Sequence, residues 1–463
     1  DYWSDSLKPS ILIDSKADIL VYGMGEKTIR TICNLMQKGV PIENLKSLPQ
    51  VGSLMTKKSV ENDKKHEEII LNSHQECLQS KKKFAENFKQ IETESNKLTQ
   101  KRIIQQYYDS YIVVNPPDKL LTETDMDSIW DLPFTRLPHP RYHKKPSIPA
   151  YEMIRHSINS HRGCFGGCSF CTISAHQGKH VVSRSPRNIM KEVKLIADMP
   201  DFKGHITDIG GPSANMYRMK GIDLSICEKC QRPSCIFPTI CNNLNNDHQQ
   251  ILDIYERASK VKGIKNITIG SGIRYDMLFD KQMQMTPQGK KYAQLIIKNH
   301  VSGRLKIAPE HTSDKVLELM RKPSFQLFRK FQSFFEHENN ALGLNQQLIP
   351  YFISSHPGCT WEDMANLSLE NQKHRFYIEP VQDFTPTPMT LATVMFYTGI
   401  NPYTMKPVYV AKSEDEKKLQ RDFFFWFKPA ERKNIEKFLH KNKRLDILST
   451  LMGKSQKKTN TKQ

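Results

Sequence analysis

The sequence contains 463 residues, and from length alone about three domains are expected. Lys and Arg total 68 against 49 Asp and Glu, so the formal charge of +19 fits either an anionic partner, such as RNA or a phosphorylated metabolite, or a solvated basic surface. No apolar run approaches the roughly 18 residues of a membrane span, and residues 1–10 lack the regions of a signal peptide. We therefore expect no membrane partner. Because the sequence begins at Asp1 rather than Met, we interpret it as a fragment and leave upstream targeting open.

The first 150 residues divide into three segments. Residues 19–22 are a short apolar run, a glycine turn follows, and apolar residues then recur at helical spacing, which predicts one βα unit within residues 1–50. Residues 51–110 are rich in Lys, Glu, Gln and Asn with sparse apolar residues, which predicts a solvated helical insertion. Residues 111–150 carry many prolines and are expected to form an irregular connector.

Residues 151–385 alternate six short apolar runs with amphipathic stretches. The runs cover residues 154–159, 205–209, 264–269, 304–308, 347–353 and 375–380. Helices are predicted after Pro186, around Ile251, and after Gly289, Ser313 and Thr360, where Thr360 and Asp363 form a predicted capping box. Alternating strands and helices indicate parallel pairing, so we predict an α/β fold with a partial (β/α)6 TIM-like barrel. Polar and glycine residues follow each run, where ligands bind in parallel α/β folds.

The C-terminal segment, residues 386–463, is predicted to be an extension with a basic helix and a disordered tail. An aromatic run at residues 423–427 lies beside basic residues. Such a run can stack on nucleic-acid bases, but apolar spacing that continues through Leu448 favours packing of a helix onto the barrel. The low-complexity tail lacks the apolar residues that a folded segment buries.

Seven of the ten cysteines fall into two groups, and only Cys33, Cys77 and Cys359 stand alone. Disulfide frameworks belong mainly to short secreted chains, whereas clustered cysteines in a long chain indicate metal binding in a reduced compartment. We therefore expect a cytoplasmic protein.

The first group lies directly after the first predicted strand, in the stretch GCFGGCSFC. Cys164, Cys168 and Cys171 have the spacing C-x3-C-x2-C and supply three of the four ligands of a four-iron cluster. One iron is then left open, which is what a reactive cluster needs and a structural one does not. From the spacing alone, a zinc site completed by His161 or His176 is the alternative.

At these residues the chain resembles the radical S-adenosylmethionine (radical SAM) enzymes. The resemblance implies that the three cysteines bind a [4Fe–4S] cluster whose open iron is chelated by S-adenosylmethionine (SAM), and that SAM is split to a 5′-deoxyadenosyl radical. It also implies SAM contacts, which are Phe170 beside adenine, Gly210 and Gly211 facing the SAM amino group, and Ser271, Arg274 and Glu310 at later strand ends. Pro212 stands where many members have Glu, so that carboxylate contact is not expected here.

A closer resemblance is to the YgiQ-type radical SAM proteins, a family of unassigned substrate. The segments that carry it are YGMGEKTI, SINSHRGCFGGCSFC, DIGGPSANMY, CQRPSC, SGIRYD, APEHTS, PYFISSHPG and VQDFTPTPMTLAT. The resemblance implies that residues 1–50 are the last part of a cobalamin-binding-like Rossmann domain. No D-x-H-x-x-G stretch occurs, so a His-ligated cobalamin is not supported.

The second cysteine group has four members, Cys227, Cys230, Cys235 and Cys241, spaced C-x2-C-x4-C-x5-C. Four thiolates suffice to close a tetrahedral site, and either an auxiliary iron–sulfur cluster or zinc fits this pattern. The sequence does not choose between them.

The functional hypothesis is a radical SAM enzyme with an unknown substrate and an electron donor such as flavodoxin or ferredoxin. The alternatives are an RNA-modifying radical SAM enzyme and a non-catalytic, metal-stabilised nucleic-acid-binding module. His311, His356 and Asp383 lie at strand ends and are either functional or simply hydrogen-bonded in place.

Overall fold

An N-terminal module precedes the barrel in a computed structural model that describes residues 3–62, 66–142, 144–374 and 381–453. Its elements are α1 (Ile11–Ser15), β1 (Ile19–Val21), α2 (Glu26–Gln37), α3 (Ile42–Leu45), β2 (Val51–Thr56), α4 (Lys57–Asn62), β3 (Glu68–Ile70), α5 (His74–Gln79), α6 (Lys81–Ser95), β4 (Arg102–Tyr107), β5 (Ser110–Val114) and α7 (Glu123–Trp130). The strands form one five-stranded sheet of order β1-β2-β5-β4-β3, in which only β3 and β4 pair in parallel.

This sheet corrects two predictions for the N-terminal residues. The predicted βα unit is present as β1 and α2, but β1 pairs antiparallel with β2, whereas Rossmann sheets are parallel. The predicted helical insertion contains α4, α5 and α6, yet it also contributes β2, β3 and β4. These strands are short, so their alternation of apolar and polar residues is too brief to detect between Lys- and Glu-rich helices. The predicted irregular connector likewise contains most of β5 and all of α7.

The predicted alternation of strands and helices is confirmed within the described residues. The elements of this region are α8 (Pro149–Ile154), β6 (Ser157–Asn159), β7 (His161–Arg162), α9 (Ile173–His176), β8 (Val182–Ser183), α10 (Pro186–Ala197), β9 (His205–Ile206), β10 (Asp208–Gly210), β11 (Lys220–Gly221), α11 (Leu224–Glu228), β12 (Leu244–Asn245), α12 (Gln249–Ser259), β13 (Asn266–Ile267), α13 (Pro287–Asn299), β14 (Arg304–Glu310), α14 (Asp314–Met320), α15 (Phe325–Ala341), β15 (Gln347–Ser354), α16 (Trp361–His374) and β16 (Val381–Asp383). The predicted capping box is present, because the Thr360 N–H donates to the Asp363 carboxylate at 2.9 Å and the Asp363 N–H donates to the Thr360 hydroxyl at 3.3 Å.

The strands of this region pair in parallel, as predicted. β6 pairs with β10, β9 pairs with β13, and β14, β15 and β16 form a three-stranded group in chain order. Within the described residues these strands do not close into a full barrel, since no ladder joins β13 to β14. The sixth predicted run, residues 375–380, lies outside the described residues, and β16 begins directly after it. The predicted α/β class with an incomplete barrel is confirmed.

Four helices follow the barrel: α17 (Leu391–Thr398), α18 (Glu414–Phe424), α19 (Pro429–Lys441) and α20 (Leu445–Met452). Phe423 and Phe424 of the aromatic run are fully buried and belong to the same core as the barrel strands, so packing rather than base stacking explains them. α17 packs against α6, which joins the C-terminal segment to the N-terminal module. The predicted disordered tail lies outside the described residues.

In the part of the chain that the structure describes, no helix has the length and apolar character required to cross a lipid bilayer.

Candidate metal and cofactor site

The three-cysteine loop connects β7 to α9 at the carboxyl end of the first barrel strand. Cys164 is buried, and Cys168 and Cys171 are half-buried. The Cys164 N–H donates to the Gly178 carbonyl at 3.1 Å, and the Gly166 N–H donates to the Cys164 sulfur at 3.4 Å. The loop therefore curls around its own thiols.

Three later elements fix the position of this loop. The Ser169 N–H donates to the Met320 carbonyl at 3.0 Å, and the Ala392 N–H donates to the Ser169 carbonyl at 2.8 Å. The Ser169 hydroxyl lies 3.2 Å from Nε2 of His356, whose ring meets the Phe170 ring edge-on with centroids 6.0 Å apart. Burial lowers the pKa of His356 to about 3, so this histidine is neutral and supports the loop.

The thiols are buried together with one permanent cation. Burial raises the pKa of Cys171 to about 11 and also raises the pKa of Cys164. Arg274 opposes this effect, because its Nη1 donates to the Cys168 sulfur at 3.4 Å and its charge lowers the pKa of Cys164. Asp276 holds the guanidinium with two hydrogen bonds of 3.0 and 2.6 Å. Arg274, which is predicted as a SAM contact, thus lies against Cys168, and its positive charge favours the thiolate form of the neighbouring cysteines.

The Gly-Gly pair at the end of the second strand is closely surrounded. A Cβ on Gly210 would lie 2.4 Å from the Ser271 hydroxyl, and one on Gly211 would lie 2.6 Å from the His161 ring. Asp208 positions Ser271 by accepting from its N–H and hydroxyl at 3.2 and 3.0 Å. The structure thus brings these two predicted glycines and Ser271 together. A side chain at position 210 or 211 would displace its neighbours.

His161 and Glu310 add two buried polar groups near the loop. Burial lowers the pKa of His161 to about 4, and its Nδ1 lies 2.9 Å from the Ser160 hydroxyl. Glu310 adopts a left-handed φ of 70° and lies 3.5 Å from the buried ammonium of Lys322. The Glu310 charge contributes to the raised pKa of Cys171, which places the carboxylate near that thiol. A strained, buried carboxylate is typical of functional sites.

A cavity of about 620 Å³ opens onto the cysteine loop. Cys168 and Cys171 form part of its wall, and α6 and α17 supply further walls through residues such as Phe88 and Thr390. Gly210, Gly211, Ser271 and Glu310 are not among the residues that line it. The cavity therefore lies on a different side of Cys168 and Cys171 from the strand-end residues.

The second cysteine group surrounds a cavity of its own. Its volume is about 620 Å³, and all four cysteines line it, namely Cys227, Cys230, Cys235 and Cys241. The Lys179 ammonium lies 3.6 Å from the Cys230 sulfur. Among residues 3–62, 66–142, 144–374 and 381–453, neither cysteine group nor any other set of three or more His, Cys, Asp or Glu side chains is arranged to hold one metal ion.

The other strand-end candidates have ordinary structural partners. His311 Nδ1 accepts from the Ser313 N–H at 3.0 Å, and Asp383 accepts from the Ser354 hydroxyl at 2.6 Å. Sequence reasoning missed the supporting residues Asp208, Asp276, Lys322 and Lys179. Asp208 and Asp276 carried a signal, since they stand in the DIGGPSANMY and SGIRYD segments, whereas Lys322 and Lys179 carried none.

Comparison with known proteins places the chain in a family. The family model described as Radical SAM N-terminal matches residues 1–157, and a domain of unknown function, DUF3362, matches residues 379–458. A UPF0313 protein of Bacteroides thetaiotaomicron is 52% identical over 470 residues, which cover 99% of this chain and 75% of that protein. A second UPF0313 protein, from Porphyromonas gingivalis, is also 52% identical, over 98% of this chain and 72% of its own length.

The chain belongs to the UPF0313 family of radical SAM proteins. The predicted radical SAM resemblance is thereby confirmed, and the predicted cofactors, a [4Fe–4S] cluster and SAM, are those of the radical SAM family. A UPF0313 relative from the archaeon Methanocella arvoryzae is 42% identical over 448 residues.

One solved structure is similar at low identity. It is the radical S-adenosylmethionine methyltransferase TsrM from Kitasatospora setae, with cobalamin and a [4Fe–4S] cluster bound. The match has a TM-score of 0.43 and 11% sequence identity, and it covers 83% of this chain but only 55% of TsrM.

Proposed function

We propose that this UPF0313 chain is a radical SAM enzyme in which Cys164, Cys168 and Cys171 bind a [4Fe–4S] cluster with one iron open to SAM. The observation that carries the proposal is the three-cysteine loop itself, which curls around its thiols and lies beside a buried arginine. When bound, the cluster and SAM supply reductive cleavage of SAM to methionine and a 5′-deoxyadenosyl radical.

The residues around the loop fit such a cofactor. Backbone and guanidinium N–H groups point at two of the sulfurs, and such hydrogen bonds favour the thiolate that binds iron. Arg274 also supplies a positive charge beside the cysteines that would bind iron as thiolates. Phe170, Gly210, Gly211, Ser271 and Glu310 remain the proposed SAM contacts.

The cavity beside Cys168 and Cys171 supports access by a small molecule. It offers aromatic and aliphatic walls together with polar groups such as Asn87 and Thr390, as ligand sites commonly do. α6 and α17 cover it, so these helices would exclude water from the open side of the loop. An electron donor such as flavodoxin or ferredoxin is part of the proposal.

Formation of 5′-deoxyadenosine tests this function. Anaerobically reconstituted protein is mixed with SAM and dithionite, and the nucleoside is quantified by chromatography. We expect Cys168→Ala to abolish formation of 5′-deoxyadenosine, because the two remaining thiolates do not suffice to hold the cluster. Cys33→Ala, which removes an exposed and isolated cysteine, serves as the control and should match the wild type. Full cleavage in Cys168→Ala would refute the assignment.

RNA modification is the second candidate, and the formal charge of +19 is what favours it. Binding of tRNA should then weaken steeply as salt rises, because counterions are released from the phosphates. A filter-binding titration at two salt concentrations measures this dependence. If tRNA binding does not depend on salt, RNA modification is ruled out and a small-molecule substrate is favoured.

A further inference from the structure

We propose that Cys227, Cys230, Cys235 and Cys241 hold a second iron–sulfur cluster, fully ligated by four thiolates and packed against the three-cysteine loop. This proposal concerns a different set of residues from the SAM site. It can therefore succeed or fail independently of the proposed function.

The segment that carries the four cysteines is folded so that they share one space. The Cys230 N–H donates to the Cys227 carbonyl at 3.2 Å, and the Cys241 N–H donates to the Cys235 carbonyl at 2.7 Å. Each of these bonds holds the two members of one pair together, and all four side chains line the cavity of about 620 Å³. A zinc site needs its thiolates about 2.3 Å from one shared ion, and within the described residues no three of these side chains are arranged to hold one metal ion. A cluster of several iron and sulfur atoms spans a wider gap between its thiolates.

A buried cation balances the charge of this group. Lys179 is only 4% exposed, and its ammonium donates to the Arg232 carbonyl at 2.8 Å and to the Cys230 sulfur at 3.6 Å. The Asn243 amide donates to the Cys227 sulfur at 3.4 Å. Burying a lysine is costly unless an anion or strong acceptors compensate it, and four thiolates around a cluster supply that anion. Hydrogen bonds to the sulfurs also help to set a cluster's reduction potential.

The second group is continuous with the first loop. The Cys235 N–H donates to the Phe165 carbonyl at 2.9 Å, and a Cβ on Gly167 would lie 2.2 Å from the Pro233 carbonyl oxygen. Cys164, Phe165, Cys235 and Cys241 lie in one apolar cluster. The segment that carries the second cysteine group therefore packs directly against the three-cysteine loop.

Metal content tests the inference. Full-length chain is reconstituted anaerobically with iron and sulfide, and iron, sulfide and zinc are quantified per chain, with Mössbauer spectra to identify the clusters. We expect about eight iron atoms in the wild type and about four in each of Cys230→Ala and Cys168→Ala. Cys33→Ala, the exposed control, should keep about eight.

The two sites are distinguished by their response to SAM. Cys230→Ala should retain the electron paramagnetic resonance signal that SAM changes, and Cys168→Ala should retain iron that SAM does not affect. If the wild type shows no response to SAM but keeps the iron of the second cluster, the proposed function is refuted and the second cluster is not. A wild type with about four iron atoms, with or without one zinc ion, would overturn the second cluster.

Lys179→Met gives a test that leaves every cysteine in place. Removing the buried ammonium should lower the reduction potential of the SAM-insensitive cluster without changing the iron content, because the more negative reduced state loses its counter-charge. Lys220→Met removes an exposed lysine at the same cavity and should leave the potential unchanged. Equal potentials in the two variants would contradict the placement of the cluster beside Lys179.

Discussion

At the scale of single residues, close packing against Gly166 and Gly167 fixes the conformation of the three-cysteine loop. Gly167 combines a φ of +62° with a backbone oxygen 2.2 Å from the position of a Cβ. Arg274 fills the space beside Cys168 and Gly166, where a Cβ on the glycine would meet its Nη1 at 2.4 Å. The thiols therefore hold their places through packing as well as through hydrogen bonds.

Gly167→Ala should lower the iron content of the reconstituted protein and its melting temperature. The substitution adds the strain of a left-handed backbone, about 1–2 kcal/mol, and pushes Pro233 away from the loop. Gly178→Ala is the matched control, since Gly178 also has a positive φ of 88° but open space around it. Equal iron contents in the two variants would show that the contact with Pro233 does not matter.

Arg274→Met should destabilise the fold by about 3–5 kcal/mol, because it leaves Asp276 as a buried charge without its partner. Denaturant unfolding of the apoprotein measures this. Arg274→Met combined with Asp276→Asn should recover much of the loss, since the unpaired charge is then gone. If the double variant is no more stable than Arg274→Met, the arginine does not stabilise the fold through its ion pair with Asp276.

At the scale of elements, α6 connects the N-terminal module to the barrel. Its Glu92 accepts two hydrogen bonds from Arg321 at 2.7 and 2.8 Å, and the Tyr403 hydroxyl donates to the same carboxylate. Arg321 follows α14 and Tyr403 follows α17, so one half-buried carboxylate joins three parts of the chain. These contacts form one edge of the cavity beside the three-cysteine loop.

Glu92→Ala should lower the melting temperature more than a surface substitution on the same helix. Arg321 is 7% exposed, so removing its partner leaves a nearly buried charge, at a cost of about 3 kcal/mol. Gln90→Ala, on the exposed face of α6, is the control and should change stability by less than about 0.5 kcal/mol. Similar melting temperatures would contradict a docking role for this ion pair.

The long elements of the fold could be predicted from the sequence, whereas the short strands could not. Long, periodic elements such as β14, β15 and α10 follow the predicted ranges closely, because their apolar spacing is uninterrupted. β2 to β4 escaped prediction because strands of three to six residues give too few alternations to stand out between charged helices. The cysteines are predictable from their spacing, and Asp208 stands in the DIGGPSANMY segment, whereas Lys179 and Lys322 reach the site only through tertiary packing, which leaves no local pattern.

At the scale of the whole molecule, several histidines are buried in the neutral form. Burial lowers the pKa of His161, His248 and His311 to about 4 and that of His356 to about 3, from an ordinary value of 6.5. The unfolded chain binds protons at these sites below pH 6.5, while the folded chain does not. Protonation therefore favours unfolding as pH falls from about 6.5 towards 4.

The free energy of unfolding of the apoprotein should fall by about 1 kcal/mol per buried histidine between pH 6.5 and 5.5. Urea unfolding at these two pH values measures the change, and the window lies above the range in which the carboxylates titrate. His311→Gln should flatten the dependence, because one titrating site is removed. Stability that stays constant or rises towards pH 5.5 would contradict the buried neutral histidines.

The central claim is that Cys164, Cys168 and Cys171 hold a four-iron cluster with one position open to SAM. Electron paramagnetic resonance of the anaerobically reduced protein, recorded with and without SAM, tests it most directly. The account predicts a cluster signal that SAM changes in the wild type and in Cys33→Ala, with no such change in Cys168→Ala. An iron-free protein, or a signal that SAM leaves unaltered in the wild type, would contradict it.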